Sequence, residues 1–415
     1  MDATITLFIL VYLAMGVGHL PGFKVDRTGA ALLGAMLLIV VGSISPKDAW
    51  ASIDVNTIGL LFGLMVVSAA FTVAGFYDWV AQRVAELKVG PALLLAILIL
   101  VSGVLSALLT NDVMVVAMTP VLCAITLRRQ LNPVPFLLGF CFAANTGSVA
   151  TLIGSPKNMI IAEALGISFN DFSRMTLLPA LVGMALTWLT LAMFYRGRWQ
   201  LSTTTAGATP TAGPPPVILP WDRVETLKAS IITLVLVVAF IFTDWPHMLI
   251  ALAAASVLLI NRTIASGKLL EHVDGNLLLL LMGLFVVNAA MAATGLPGDI
   301  LAWLKTVGVN LHSPVPMLLI SAVVSDVVGN NPTAMLLTPF LVGADNAPLL
   351  GAAIVLGTSF SSNAIVFGSL AGIIAVEQAR AHGVSISFME FLRAGLSVTL
   401  ISLLLAIGWL YYLGA

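Results

Sequence analysis

Apolar runs of spanning or near-spanning length recur from one end of this 415-residue chain to the other, and they fix its solvent. They lie at about 4–20, 28–44, 55–75, 91–109, 111–127, 134–165, 175–195, 229–243, 247–261, 276–294, 314–328, 333–344, 347–379 and 394–413. Hydrophobic residues make up 60% and charged residues only 9%, whereas a soluble chain is roughly a quarter charged. Too few charges remain to coat a globular surface, so the expected fold is an all-α polytopic membrane protein in contact with lipid. A net charge of −1 and two cysteines exclude a nucleic-acid binder and a disulfide framework. The first run, Thr4–Leu20, lacks a basic flank and a small-residue cleavage site, so it reads as a membrane helix rather than a signal peptide.

A helix rises about 1.5 Å per residue, so roughly 20 residues cross the hydrocarbon. Several runs do not fit that ruler. The pairs 91–109/111–127 and 314–328/333–344 are split by polar centres with no connecting loop, which predicts re-entrant hairpins at about 91–128 and 314–346. The stretches 134–165 and 347–379 are too long for one span and carry Gly, Ser, Asn or Pro in their middles, which predicts two broken helices. The only long hydrophilic stretch, 197–228, reads as a cytoplasmic linker between a first unit at 1–196 and a second at 229–415.

The two units repeat each other. Asp54, Asn56, Gly63 and Gly75 return 220 positions later as Asp274, Asn276, Gly283 and Gly295. Ser106, Asn111, Thr119 and Pro120 return 219 later as Ser325, Asn330, Thr338 and Pro339, and Arg174 returns as Arg393. Low-complexity coincidence would match Leu, Val and Ala but would not keep Asn, Pro and Arg in step. With the N-terminus outside, 14 of the 18 Lys and Arg fall in inside loops; Lys47, Arg174 and Lys305 remain outside and Lys157 lies within a broken helix. That bias sets the orientation. Five spans per unit is an odd number, so the second unit enters from the opposite face. The expectation is two inverted repeats in a cell inner membrane, with about ten transmembrane helices, two hairpins and two broken helices, and both termini outside.

Unwinding a helix in lipid leaves N–H and C=O groups without partners at several kcal/mol each, so such backbone survives only where it lines a wet cavity or meets a ligand. Four places qualify: Thr110-Asn111-Asp112 and Gly329-Asn330-Asn331-Pro332-Thr333 at the hairpin tips, and two clusters in the broken helices. The first cluster is Asn145-Thr146-Gly147-Ser148 followed by Gly154-Ser155-Pro156-Lys157-Asn158; the second is Ser361-Ser362-Asn363 followed by Gly368-Ser369. Helix N-termini at such breaks offer N–H groups and a positive dipole end to an anion or an oxygen-rich solute. The expected substrate-binding residues are therefore Thr110, Asn111, Asn145, Thr146, Gly147, Ser148, Asn158, Asn330, Asn331, Thr333, Ser361, Ser362 and Asn363. Ionisable groups at membrane depth are costly and point to function. Asp112 and Asp326 are the candidates for proton or cation coupling, and Lys157 for pairing with an anion or a carboxylate.

Asp54 and Asp274, each at the start of a span with Asn two residues on, read as helix N-caps. The five histidines fall near span ends and the isolated Cys123 and Cys141 make no thiolate site. No Walker, haem or HExxH motif appears, so the expectation is a secondary transporter rather than an enzyme or an ATP-driven pump, with no cofactor beyond a coupling proton or sodium ion.

With these clusters in hand, the whole chain resembles the ion transporter superfamily, and its Asn-Asp and Asn-Asn-Pro-Thr tips look most like ArsB-type arsenite-efflux permeases and related anion permeases. The resemblance implies scaffold and transport regions with substrate between tips and breaks, and proton-coupled export of arsenite and antimonite. It also implies a cytoplasmic ATPase subunit as partner. The dicarboxylate symporters of the superfamily carry Ser-Asn-Thr at both tips, where this chain reads Thr-Asn-Asp and Gly-Asn-Asn. Lys157, in a loop that binds anions in those symporters, supports the alternative of an inorganic or dicarboxylate anion moved with sodium or protons.

Overall fold

The computed structural model describes residues 3–20, 22–201, 219–341 and 344–414. Among them every regular element is helical, with only isolated bridges at His19–Asp26 and Leu131–Gln200. The first half contains α1 (Ala3–Val17), α2 (Arg27–Val40), α3 (Pro46–Ala51), α4 (Val55–Val73), α5 (Phe76–Ala85), α6 (Pro91–Leu108), α7 (Asn111–Arg128), α8 (Pro133–Gly147), α9 (Pro156–Leu165) and α10 (Phe169–Phe194). The second contains α11 (Arg223–Phe242), α12 (His247–Leu259), α13 (Ser266–Leu270), α14 (Gly275–Ala292), α15 (Leu296–Thr306), α16 (Pro314–Val328), α17 (Asn330–Leu337), α18 (Ala347–Ser361), α19 (Leu370–Ala381) and α20 (Phe388–Gly414).

The helix starts follow from local chemistry. Asp54 and Asp274 cap α4 and α14 as the sequence predicts, accepting from Asn56 N at 3.0 Å and Leu277 N at 2.9 Å. Pro91, Pro133, Pro156 and Pro314 each open a helix, where the missing N–H would be unsatisfied in any case. The described part of the predicted linker is partly helical: Asp222 accepts from Val224 N and Glu225 N, so α11 starts at Arg223 rather than near 229. The linker's centre, 202–218, lies outside the described residues.

Seven helices among the described residues are long and apolar enough to cross a bilayer: α4, α6, α8 with the turn that follows it, α10, α11, α14 and α20. Six further apolar helices have 10–17 residues. The apolar length is thus divided among helices of unequal length, as the short and interrupted runs of the sequence lead one to expect. At about 1.5 Å per residue, the 14 residues of α2 reach only about 21 Å.

Packing crosses between the halves. α2 lies on α14 and α4 on α12. A Cβ at Gly63 would come within 2.6 Å of the Ala251 carbonyl carbon, and one at Gly283 within 2.9 Å of that of Ala31. The two contacts exchange under the offset of 220, because Ala31 and Ala251 are themselves 220 apart. Small residues at helix crossings let backbones approach in lipid, where burial of apolar surface supplies little drive. α7 packs on α19, and α17 on α9, so the second helix of each hairpin segment meets the broken helix of the other half. That crossing brings the polar centres together.

Candidate functional site

Each broken helix is interrupted over the same length. α8 ends at Gly147 and α18 at Ser361, α9 begins at Pro156 and α19 at Leu370, and both pairs are 214 apart. Within the breaks, Thr151 and Ile365 are extended (φ −139°, ψ 163° and φ −132°, ψ 153°), as are Ser155 and Ser369. The offset drops from 219 because Asn111 to Pro133 is 22 positions, whereas Asn330 to Ala347 is 17, with α17 only 8 residues long. Ser148 therefore stands in register with Ser362, and Gly154 with Gly368.

The two breaks bond directly to one another. Asn145 Nδ2 donates to Asn363 Oδ1 at 3.0 Å and to Ser369 Oγ at 3.1 Å, and Asn363 Nδ2 donates to Thr146 Oγ1 at 3.2 Å. Asn145 is 3% exposed and Asn363 0%. The first break is braced by Asn158, whose Nδ2 donates to the carbonyls of Ser148 and Thr151, and by Ser148 Oγ on Asn145 O. The second is tied to its hairpin tip: Asn330 Oδ1 accepts from Ser325 Oγ and, at 3.0 Å, from Ser362 Oγ.

Both tips and both breaks border one cavity of about 210 Å³. Its wall includes Asn111 from the first tip, Ser155 and Pro156 from the first break, Gly329–Pro332 from the second tip, and Phe367–Ser369 from the second break. Asn111 opens α7, Pro156 opens α9, Asn330 opens α17, and Ser369 is the N-cap of α19. Four helix N-termini thus converge on one space, each presenting unpaired N–H groups and a partial positive charge. The wall is completed by Arg27, Thr28, Asp274, Asn276, Leu277, Leu280 and Val328.

The halves differ in how they satisfy their tip asparagines. Asn330 Oδ1 has the Ser325 hydroxyl as donor and the Ser362 hydroxyl, shared with Thr358 O, at 3.0 Å, whereas the buried oxygens Asn111 Oδ1, Thr110 Oγ1 and Asn158 Oδ1 have no partner among the described residues. The counterparts of Ser325 and Ser362, namely Ser106 and Ser148, donate to Ala144 O and Asn145 O instead.

Of the residues singled out from sequence, Asn111, Asn330 and Asn331 line the cavity, while Asn145, Thr146, Ser148, Asn158, Ser362 and Asn363 build the bonded frame behind it. Gly147 is a packing residue, since a Cβ there would run into the backbone of Gly103 on α6. Thr333 Oγ1 donates back to Gly329 O at 2.7 Å. Ser361 Oγ donates to Thr358 O at 3.4 Å, while Asp326 Oδ1 has no hydrogen-bond partner among the described residues and faces Gly368. Lys157 is 2% exposed in the first turn of α9. Asp112 is the second residue of α7; its side chain lies outside the described residues. Cys123 and Cys141 are buried, in no disulfide and not part of the cavity wall. Sequence reasoning missed Arg27, Thr28, Asn276 and Phe367 as wall residues. The one available signal was that Asn276 repeats Asn56.

Residues 10–359 match the citrate transporter family, CitMHS. A 46 kDa membrane protein of Mycobacterium leprae is 31% identical over 429 residues, covering 99% of this chain and 98% of the relative. The silicon efflux transporter LSI3 of Oryza sativa is 40% identical over 176 residues, 42% of this chain and 36% of the relative. The solved structure of the Alcanivorax borkumensis YdaH transporter superposes with a TM-score of 0.59 at 14% identity, covering 99% of this chain and 97% of that one, a likeness of fold. The match lies within the superfamily expected from sequence, but it does not single out the ArsB type. It favours the anion alternative over arsenite and antimonite export. A helical fold, polar breaks around one cavity and this match lead to one conclusion: the chain belongs to the CitMHS citrate transporter family of membrane-embedded secondary transporters.

Proposed function

We propose that the chain moves a small polyvalent anion, carboxylate or inorganic, across the inner membrane by alternating access, with the anion held in the cavity between the two tips and two breaks. The convergence of four helix N-termini carries this reading. Each contributes about 0.3–1 kcal/mol to an anion, more where partly buried, and Arg27 adds a full positive charge at the wall. The frame of amide and hydroxyl bonds behind the wall holds these N-termini in place, with Lys157 buried in the first turn of α9 beside it.

The exchange of the Gly63–Ala251 and Gly283–Ala31 contacts supports two repeated units, and the positive-inside bias supports inverting the second. In that orientation the cavity is flanked by exposed Asp274 and Asn276 on the inner face, so the molecule is inward-facing. Coupling falls to a proton carried by Asp326, with Asp112 at the first tip and Lys157 behind it as further charged candidates. The unpartnered oxygens of Thr110, Asn111 and Asn158 favour a second reading of the coupling ion, sodium, which takes oxygen ligands. The local identity to a silicon efflux transporter favours a second reading of the cargo, a small hydroxylated acid moved outward.

Binding to purified protein separates these readings. Calorimetric titration with citrate, a C4 dicarboxylate, phosphate, sulfate, silicic acid and arsenite is expected to give saturable binding of at least one anion, weakened at least about tenfold in Asn111→Ala and Asn330→Ala. Saturable binding of silicic acid or arsenite with none of the anions would overturn the anion assignment. Binding that appears only with sodium present would replace the proton.

A further inference from the structure

We propose that Arg27 is the charge switch of the transport cycle, exchanging its partner between the anion in the cavity and the carboxylate of Asp326. The inference rests on the anion reading above and deepens it.

Arg27 opens α2, and its Nε donates to Met15 O at 2.9 Å, which pins the stem of the side chain to the last turns of α1. Among the described residues its Nη groups make no hydrogen bond or ion pair, so the forked end of the guanidinium is left for another partner. It borders two spaces at once. One is the 210 Å³ cavity of the tips and breaks. The other is a groove of about 740 Å³ lined by Gly16–Gly18 of α1 and its following turn, by Asp26, and by Asp326. The partition between them is thin. A Cβ at Gly368, a residue of the cavity wall, would lie 2.9 Å from Asp326 Oδ1.

Few other charges compete. α16, which carries Asp326, packs against α1, α17, α18 and α20 and the turn at 366–368. α1, α17, α18 and that turn contain no Asp, Glu, Lys, Arg or His. α20 contributes Glu390, which accepts from Tyr195 OH at 2.9 Å, and Arg393; neither borders the groove. The groove's remaining charge is Asp26, whose Oδ1 is already engaged as the N-cap of α2. On the cavity side Arg27 also shares the wall with Asp274 of the packed α14, whose Oδ1 is engaged as that helix's N-cap by Leu277 N.

The charge balance of a cycle follows. With the cavity empty, ionised Asp326 and Arg27 neutralise one another across the groove. An anion entering the cavity draws the guanidinium forks to itself, and a carboxylate stripped of its counter-charge in a half-buried site is costly. Asp326 therefore takes one proton from groove water onto a carboxylate oxygen as the anion binds, and returns it when the anion leaves. One proton moves with each anion, in the same direction.

The test is citrate binding to the full-length purified protein at a series of pH values between about 7.5 and 8.5, where citrate is almost fully ionised and its own protonation contributes little to the slope. Wild-type affinity is expected to fall about tenfold per pH unit, the signature of one linked proton. Asp326→Asn should bind citrate with no pH slope, at least as tightly as the wild type at the low end of the range. Arg27→Gln should bind about a hundredfold more weakly, the loss typical of removing one partner of a charged pair. Arg27→Lys, which keeps the charge and protects against a folding failure, should bind between the two and retain the slope. An unchanged slope in Asp326→Asn, or wild-type affinity in Arg27→Gln, overturns the switch while leaving the anion reading intact. Absence of binding of citrate, phosphate and sulfate to the wild type overturns both.

Discussion

The bond between the two broken helices makes a quantitative prediction. Asn145→Ala removes the donor of two hydrogen bonds, to Asn363 Oδ1 and Ser369 Oγ. Ser369 Oγ keeps its bond from Gly372 N, but Asn363 Oδ1, on a residue with 0% exposure, is left with no donor. Stranding one buried acceptor costs about 1–3 kcal/mol, so the variant should lose stability within that range. Asn363→Ala removes the same bond and also the donor to Thr146 Oγ1, and should cost at least as much. The double variant loses the shared bond once, so the coupling energy should equal one inter-helix hydrogen bond. Values measured between membrane helices average about 0.6 kcal/mol with a maximum near about 1.7. The assay is reversible unfolding in mixed detergent micelles, followed by tryptophan fluorescence, with both single variants and the double. Strict additivity of two destabilising variants, with coupling below about 0.3 kcal/mol, would mean that the two halves do not meet at this bond and would refute the frame behind the cavity.

Other expectations follow from close approaches and from burial. Gly63→Ala and Gly283→Ala each push a methyl into a facing helix backbone, so each should cost about 1–3 kcal/mol and the two should agree closely; a large cost in one and none in the other would contradict the repeat. Gly147→Ala meets the backbone of Gly103 and should lower the unfolding midpoint by at least as much; an unchanged midpoint would show that α6 and α8 are not in contact there. Asp78, on α5 outside the spans and 7% exposed, has its carboxyl pushed up from the ordinary value by burial, partly offset by the Leu219 N–H at 2.9 Å. A raised carboxyl pKa lends stability below the unfolded value of about 3.9 that is lost as pH rises through the folded one. Asp78→Asn, which can still accept from Leu219, should therefore melt higher than wild type at neutral pH, with the gain shrinking toward pH 4; a constant gain would rule out titration as its cause.

The polar centres were legible because lipid makes them conspicuous: Asn111, Asn145, Asn330 and Asn363 stand in otherwise apolar runs where only a cavity or a bonded frame can satisfy them. Which of the two each residue serves was not legible. Asn145 and Asn363 bond each other across 218 positions, a pairing set by the packing of opposite halves and by no local pattern. The residue-by-residue register of the two breaks was not legible either, because Asn330 to Ala347 is five residues shorter than Asn111 to Pro133, a difference hidden where α17 is short and uniformly apolar beyond its tip. Arg27 looked like one more inside-loop cation. Its place at the cavity comes from the α2–α14 contact, which puts the starts of those two helices together. Asp274 is both the N-cap foreseen from sequence and part of the wall.

The most direct measurement is a cryo-electron microscopy map of the full chain prepared with saturating citrate. The account predicts density for one anion enclosed by the first turns of α7, α9, α17 and α19, within hydrogen-bonding reach of Asn111, Asn330 and Arg27. Citrate seated elsewhere, or continuous helices through 147–156 and 361–370 with no space between the two tips, would contradict it.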